Sequence, residues 1–258
     1  MNEDYILYAI FYGVVKTVLI GYSFLMQKYL NNAIKKLVNC YPRYCLVCRR
    51  KTDNIYLVCS PCVEVLPFVK QACSMCGLQI VGSAILCGQC LQKSNTIDRA
   101  TMPFYYEKPI TTLLFQLKFY DQLACLSFFS YFLVAKLKQR IGPLPEVIIP
   151  VPLHKNRLKT RGYNQSLELA KKLSRLLNIR LDRHCCRRVK ITSSQRGLNA
   201  KERRKNVKNA FSVKRKLIYQ HIALVDDVMT TGATANEVAK CLKEKGASTV
   251  EVWCCARA

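Results

Sequence analysis

Hydrophobic positions change their spacing along the chain, and the first segment is apolar almost throughout. From Tyr5 to Met26 nearly every residue is apolar or aromatic, with Lys16 in the middle. Such a stretch is long enough to span a bilayer, although a central lysine makes insertion costly. The alternatives are a packed core helix and a start codon assigned too early, with Met26 as the true beginning. Basic residues follow, so an inserted helix would leave the rest of the chain on the cytoplasmic side.

The segment that ends at Gly142 predicts one strand and then buried helix. Residues 100–106 suit a strand. Leucine and phenylalanine then recur every three or four positions from Leu113 to Leu137, which is the spacing of a helix face packed in a core.

After Pro145, short apolar runs alternate with amphipathic stretches. The runs at 147–149, 222–225 and 250–255 predict strands covered on both faces. Helices are predicted near 167–177 and over 234–245, whereas residues 182–209 are polar and very basic, with little periodicity. Strands that alternate with helices predict an α/β fold, a mostly parallel sheet flanked by helices.

Cysteines are concentrated between these regions. The chain has 15, and eight form four Cys-x-x-Cys pairs, each beginning fourteen residues after the last. Two such turns supply four sulfur ligands for tetrahedral Zn²⁺. The simplest assignment puts the first two pairs on one ion and the last two on another. Interleaved pairing, a single filled site, an iron–sulfur cluster and unligated cysteines are the alternatives. The eight residues are Cys45, Cys48, Cys59, Cys62, Cys73, Cys76, Cys87 and Cys90.

A site closed by four thiolates has no open coordination position, so we expect the zinc to be structural. The predicted organisation is an N-terminal segment over 1–40, a small double zinc ribbon over 41–97 and the α/β domain over 98–258. Cys254 and Cys255 lie on a predicted strand and are expected to be buried. The three histidines are isolated in the sequence and are assigned no metal.

The segment ALVDDVMTTGAT, residues 223–234, combines an acidic pair with a loop of small residues. A buried strand ends in Asp226 and Asp227, and a helix follows the loop. Amides at a helix N-terminus favour an anion such as a phosphate monoester. The carboxylates suit ribose hydroxyls or a cation. This arrangement at the carboxyl end of a strand predicts a sugar-phosphate site.

This segment resembles the signature of the type I phosphoribosyltransferases, which bind phosphoribosyl pyrophosphate. The resemblance implies that Asp226 and Asp227 hold the ribose hydroxyls and that Mg²⁺ accompanies the pyrophosphate. The loop would hold the 5′-phosphate through Thr230, Thr231, Gly232, Ala233 and Thr234.

Positive charge is concentrated in the second half of the chain. The net charge is +25, and 21 lysines and arginines lie between Lys155 and Lys216. Such density predicts a polyanionic partner. Candidates to stabilise a departing pyrophosphate are Arg157, Lys159, Arg161, Arg196 and Arg203, of which Arg157 and Arg161 are the principal catalytic candidates. Candidates to grip a DNA backbone are Lys201, Arg203, Arg204, Lys205 and Lys208. Tyr163 either stacks on a base or packs.

Two further blocks resemble the ComF family of competence-associated proteins: PVPLHKNRLKTRGYNQ at 150–165 and QRGLNAKERRKNVKNAF at 195–211. The segment YYEKPITTLLFQLKF at 105–119 also matches. The resemblance implies a double zinc ribbon joined to a phosphoribosyltransferase-like domain. It also implies a role in uptake of single-stranded DNA during natural transformation.

The implied partners are phosphoribosyl pyrophosphate or a related sugar phosphate, single-stranded or branched DNA, and a DNA-translocating helicase. The expected location is the cytoplasm, with membrane contact through residues 5–26 as an option. The alternative function is an active phosphoribosyltransferase of nucleotide or nucleoside metabolism with an unknown acceptor.

Overall fold

The computed structural model describes residues 43–92, 95–119, 124–190 and 200–258. The expectations for residues 1–40 lie outside these ranges. In the described residues the strands are β1 (Arg99–Thr101), β2 (Phe104–Tyr105), β3 (Val147–Pro150), β4 (Arg180–Leu181), β5 (Cys186–Arg188), β6 (Phe211–Val213), β7 (His221–Met229) and β8 (Thr249–Arg257). The helices are α1 (Ser60–Glu64), α2 (Gly88–Gln92), α3 (Ile110–Phe119), α4 (Ala124–Lys138), α5 (Lys155–Arg161), α6 (Gln165–Leu177), α7 (Ala200–Val207) and α8 (Ala233–Lys243).

A parallel sheet lies at the centre of the α/β region. Its strands follow the order β1, β8, β7, β3, β4, and β2 also pairs with β8. Every pair in this sheet is parallel, while β5 and β6 form a separate antiparallel pair. The predicted α/β class, a mostly parallel sheet with flanking helices, is confirmed.

The two faces of the sheet carry separate cores, because side chains of a strand alternate between faces. Ala223 and Val225 of β7 belong to the core that includes buried residues of α3, α4 and α6. Ile222 and Leu224 belong to the other core, which includes buried residues of α8 and of the β5–β6 pair. Both faces are therefore covered, as the continuous apolar strands predicted.

The cysteine-rich segment packs onto this sheet. Cys45 and Cys62 are buried in the first core, together with residues of α4. The amide of Tyr105 donates to the carbonyl of Pro67 at 2.8 Å, and the Arg257 Nε atom donates to the carbonyl of Cys76 at 2.9 Å. Residues Cys45–Ala258 form one compact unit.

Several predicted element boundaries were wrong. The single strand at 100–106 is two short strands, interrupted where Pro103 offers no amide donor. The strand at 222–225 continues to Met229, because Val228 and Met229 keep their pairing with β8. Consequently Asp226 and Asp227 lie inside β7 rather than at its end. Helix α8 starts at Ala233 and ends at Lys243, not at 234 and 245.

The basic segment contains more order than its lack of periodicity predicted. Strands β5 and β6 pair with each other, with Cys186 opposite Val213, and α7 lies between the two strands in the chain. Residues 191–199, which fall in the same segment, are outside the described ranges. Over the described part of the chain, no helix combines the length and apolar character needed to cross a membrane.

Candidate functional site

A cleft of about 650 Å³ lies at the carboxyl end of β7. Asp226 and Asp227 line it, as does the loop that connects β7 to α8. Arg157 and Arg161 of α5 also line it. The structure thus brings together the acidic pair, the small-residue loop and the two principal arginine candidates. The cleft is lined by all five predicted loop residues, Thr230, Thr231, Gly232, Ala233 and Thr234.

The two aspartates have different partners. Asp226 Oδ1 accepts a hydrogen bond from the Ser166 hydroxyl at 2.9 Å. Ser166 is held at the start of α6, where its amide donates to the capping side chain of Asn164. Asp227 Oδ2 lies 2.6 Å from the Nζ atom of Lys118, which comes from α3.

These environments shift two pKa values upwards. Burial, reinforced by the neighbouring charge of Asp227, raises the pKa of Asp226 to about 7. Burial alone would lower the pKa of Lys118, but the adjacent Asp227 carboxylate outweighs it and the net pKa is raised. Asp226 is therefore poised to exchange a proton near neutral pH, while Lys118 stays charged.

Gly232 sets the geometry of the loop. It caps α8 in the left-handed conformation, with φ at +71°. A Cβ atom there would lie 2.9 Å from the Met229 Cε atom and 3.3 Å from the Asn236 Nδ2 atom. The Thr231 Oγ1 atom accepts from the amide of Ala233 at 3.4 Å. The loop therefore leads directly into the positive end of the helix dipole.

Three arginines place positive charge in the cleft. Arg157 and Arg161 belong to α5, and Arg188 belongs to β5. Burial, together with the charge of Arg161, lowers the pKa of Arg157. Burial and the charge of Arg157 lower the pKa of Arg188, against the opposing effect of Asp226. Like charges have been brought close together, as a site for an anion requires.

The sequence did not identify several residues of the cleft. Three of these residues, Ser166, Lys118 and Arg188, are 60, 108 and 38 positions from Asp226 in the chain and reach the cleft only through the fold. Tyr106, Phe115 and Phe119 also line the cleft. All three belong to the segment 105–119, which resembles the ComF family but whose residue types do not by themselves predict a site.

Other predicted residues lie elsewhere. Lys159 is exposed and is not among the residues that line the cleft. The Tyr163 hydroxyl donates to the carbonyl of Leu117, which favours the packing alternative. Among the predicted DNA-binding residues, Lys205 and Lys208 are exposed, on and just after α7. Arg196 and the side chains of Lys201, Arg203 and Arg204 are outside the described part of the chain.

The cysteine pairs form two separate clusters. In each cluster the four sulfur atoms lie within 4.8 Å of one another. The Sγ atoms of Cys48 and Cys59 lie 3.6 Å apart, and those of Cys76 and Cys87 lie 3.7 Å apart. The pairs are grouped sequentially, the first two together and the last two together, and they are not interleaved. One cluster contains Cys45, Cys48, Cys59 and Cys62, and the other contains Cys73, Cys76, Cys87 and Cys90.

The chemistry of each cluster fits a divalent cation. An amide hydrogen bond from Arg50 lowers the pKa of Cys48 to about 6. Although burial opposes it, hydrogen bonding from nearby amides lowers the pKa of Cys73 to about 7. Burial and neighbouring thiols raise the pKa of Cys62 and Cys90. Four thiolates can coexist only around a metal, and four-sulfur tetrahedral coordination is typical of structural zinc.

Comparison with known proteins agrees with this arrangement. Residues 37–91 match the family described as Double zinc ribbon domain. The chain is 38% identical over 236 residues to Competence protein F of Haemophilus influenzae, which covers 86% of this chain and 100% of that protein. It is 37% identical over 221 residues to DNA utilization protein YhgH of Escherichia coli O6:H1, covering 84% of this chain and 97% of the relative.

Two further similarities are more limited. Competence protein ComFC of Bacillus subtilis is 34% identical over 101 residues, 39% of each chain. The crystal structure of a purine phosphoribosyltransferase from Pyrococcus horikoshii is 20% identical with a TM-score of 0.31, and the match covers 50% of this chain and 80% of that one. The identity to Competence protein F, over that protein's whole length, shows that the chain belongs to the ComF family of competence-associated proteins.

Proposed function

We propose that this protein binds phosphoribosyl pyrophosphate, or a related sugar phosphate, in the cleft and binds DNA through its basic surface. Its cellular role would be the handling of single-stranded DNA taken up during natural transformation. The names of two relatives, Competence protein F and DNA utilization protein YhgH, support this role. The observation that carries the ligand assignment is the convergence of Asp226, Asp227 and the loop before α8 on one cleft.

The sugar phosphate would lie with its 5′-phosphate at the N-terminus of α8. The helix dipole favours the anion, and the left-handed conformation of Gly232 allows the backbone to approach it closely. The ribose hydroxyls would donate to Asp226 and Asp227, which are hydrogen-bond acceptors when ionised. A carboxylate already paired with Lys118 suits a hydroxyl better than a second negative group.

The pyrophosphate would lie towards Arg157, Arg161 and Arg188. Arginine binds phosphate oxygens through two parallel hydrogen bonds, so this cluster fits a diphosphate. Mg²⁺ would be held by pyrophosphate and ribose oxygens and would neutralise part of the charge. Because Asp226 and Asp227 already have partners in Ser166 and Lys118, their placement fits an ion that arrives with the ligand.

One experiment separates the two binding activities. A double variant that combines Asp226→Asn and Asp227→Asn should bind phosphoribosyl pyrophosphate at least roughly ten-fold more weakly, since each charged hydrogen bond contributes about 1.5–3 kcal/mol. DNA binding should remain. Calorimetry with Mg²⁺ and fluorescence anisotropy with a labelled oligonucleotide measure the two affinities. Glu244→Gln is the matched control, because Glu244 is an exposed carboxylate at the C-terminal cap of α8.

Intact protein with no measurable affinity for phosphoribosyl pyrophosphate would overturn the ligand assignment. Equal losses of ligand and DNA binding in the double variant would mean that the two aspartates hold both ligands, and would contradict their assignment to the sugar phosphate alone.

The DNA assignment is supported by the charge of the chain and by exposed lysines near α7. Lysines that contact phosphates release counterions, so affinity should fall steeply as salt rises. Lys205→Ala and Lys208→Ala should each reduce the slope of log affinity against log salt by about one. Lys138→Ala is the control. Lys138 is an exposed lysine of α4, a helix that packs in the core on the opposite face of the sheet from β5 and β6. An affinity that does not depend on salt would contradict this assignment.

The alternative function is catalytic transfer of the phosphoribosyl group to an unidentified acceptor. The three arginines favour it, because positive charge placed where pyrophosphate departs stabilises the transition state. Release of pyrophosphate that requires both a nucleobase and Arg157 would support the transferase. Binding of phosphoribosyl pyrophosphate without turnover, over a panel of bases, would leave the binding function alone.

A further inference from the structure

Two aromatic rings in the wall of the cleft have no role in sugar-phosphate binding. Phe115 and Phe119 lie one turn apart on α3, with ring centroids separated by 4.8 Å. Both line the cleft, and they are 46% and 45% exposed. Large rings of this kind are more often buried, so an exposed pair inside a charged cleft indicates a surface that binds something flat and apolar.

Arg161 connects this aromatic pair to the polar part of the cleft. Its guanidinium carbon lies 5.4 Å from the centre of the Phe119 ring, within the range of a cation–π contact. The same guanidinium donates through Nη1 to the Gln165 Oε1 atom at 3.2 Å. A positive charge therefore lies over one face of the Phe119 ring, close to where the phosphate of a stacked nucleotide would be.

Gln165 supplies a second and independent sign of a ligand. Its side chain lines the cleft and the residue is only 2% exposed. Because Arg161 donates to its oxygen, the amide nitrogen is left as the donor. Within the described residues that Nε2 atom has no hydrogen-bond partner. Buried donors are nearly always paired, so a ligand oxygen or ring nitrogen is the partner that completes this group.

We propose that the cleft binds a nucleotide of single-stranded DNA, with its base stacked on Phe115 and Phe119 and hydrogen-bonded by Gln165. The adjoining phosphates would lie on the arginines of the cleft. Aromatic platforms beside positive charge are the usual way in which proteins bind single strands without sequence preference. The inference rests on the DNA-binding half of the proposed function.

The geometry favours a single strand over a duplex. In a duplex each base is covered on both faces by its neighbours, so no face is open to the Phe115–Phe119 pair. A cleft of about 650 Å³ is also too small to take in a double helix. Since phosphoribosyl pyrophosphate is assigned to the same cleft, the two ligands should exclude each other.

The test measures binding of the full chain to a fluorescent oligothymidylate by anisotropy. Phe119→Ala should weaken single-strand binding by roughly ten-fold, because stacking on one aromatic ring is lost. Phe119→Tyr keeps the ring and should bind as the unaltered protein does. Binding of a duplex of the same length should change little. Tyr131→Ala, an aromatic residue 40% exposed on α4 and outside the lining of the cleft, is the control.

Thermal unfolding of each variant shows whether it is folded. If Phe119→Ala is not folded, Phe115→Ala replaces it as the test variant. Single-strand affinity unchanged in the folded variant would overturn the inference. The inference would also be overturned if binding of free thymidine monophosphate depended on Phe119 and binding of the oligothymidylate did not. The cleft would then bind a small acceptor and not a DNA strand.

Competition distinguishes this inference from the sugar-phosphate assignment. Saturating phosphoribosyl pyrophosphate should displace the oligothymidylate. If it binds and displaces nothing, the shared cleft is wrong and the sugar-phosphate assignment stands. If it does not bind, yet Phe119→Ala still weakens single-strand binding, the DNA inference stands and the sugar-phosphate assignment is wrong.

Discussion

Asp226 is a carboxylate of the cleft whose protonation depends on the fold. Its pKa is raised from 3.8 to about 7 by burial and by the charge of Asp227, and the hydrogen bond from Ser166 only partly opposes the shift. A carboxyl group with a raised native pKa binds its proton more tightly in the folded chain than in the unfolded chain. Its contribution to stability is therefore present at low pH and is lost as pH rises towards 7.

This shift predicts the pH dependence of one variant. Between about pH 4 and pH 7, the unaltered protein should lose stability relative to Asp226→Asn as pH rises, because only the aspartate has to give up a proton. The unfolding temperature of the two proteins, measured in parallel across this range, checks the difference. A constant difference at every pH would contradict a raised pKa for Asp226.

At the same scale, the sequence identified the residues that are adjacent in the chain. Asp226, Asp227 and the loop after them could be interpreted together because their chemistry is contiguous. Lys118 and Ser166 could not be found in this way. Each is an ordinary residue of an amphipathic helix until the fold places it beside an aspartate. The ion pair of Arg140 with buried Glu251, 111 positions apart, is a further example.

At the scale of the elements, the turn between β7 and α8 depends on one backbone conformation. Gly232 has a φ of +71°, which side chains other than hydrogen rarely allow, and its Cβ position is crowded by Met229. Gly232→Ala should therefore cost about 1–2 kcal/mol of stability and weaken sugar-phosphate binding at the N-terminus of α8.

Unfolding measurements and calorimetry check both effects of this variant. Gly142→Ala is the matched control, since Gly142 also has a positive φ but has nothing within 4 Å of its Cβ position. A Gly232→Ala protein with unchanged ligand affinity would show that the turn does not contact the ligand.

Element types were predicted more accurately than element ends. The runs at 147–149, 222–225 and 250–255 are strands because they are buried on both faces, which the apolar pattern reports directly. The sequence did not predict the last residues of β7. Asp226 and Asp227 interrupt the apolar run, but the pairing of β7 with β8 continues beyond them. Pairing between strands is a property of the sheet and leaves little trace in a local pattern.

At the scale of the whole molecule, the zinc ribbon and the sheet share their packing. Cys45 and Cys62 are part of a core that also contains Trp253 of β8. Arg257 joins the second cysteine cluster to the end of β7 through the carbonyl groups of Cys76 and Met229. Loss of metal should therefore weaken the packing of the sheet as well as that of the ribbon.

Metal content tests this coupling. We expect mass spectrometry to find two zinc ions per chain in the unaltered protein. The variants Cys45→Ser and Cys73→Ser should each retain one ion, since the two clusters are separate. Removal by a chelator should lower the unfolding temperature of the entire unit, because metal binding contributes to folding free energy. Cys241→Ser, which lies outside both clusters, should retain two ions. Loss of both ions in either single variant would contradict separate sites.

The central claim is that the loop before α8 and the acidic pair of β7 hold one sugar phosphate. The most direct measurement is a crystal structure of the protein with phosphoribosyl pyrophosphate and Mg²⁺. We predict the 5′-phosphate within hydrogen-bonding distance of the amides that follow Gly232, and the ribose hydroxyls on Asp226 and Asp227. A ligand found elsewhere, or a ribose turned away from both aspartates, would contradict the account.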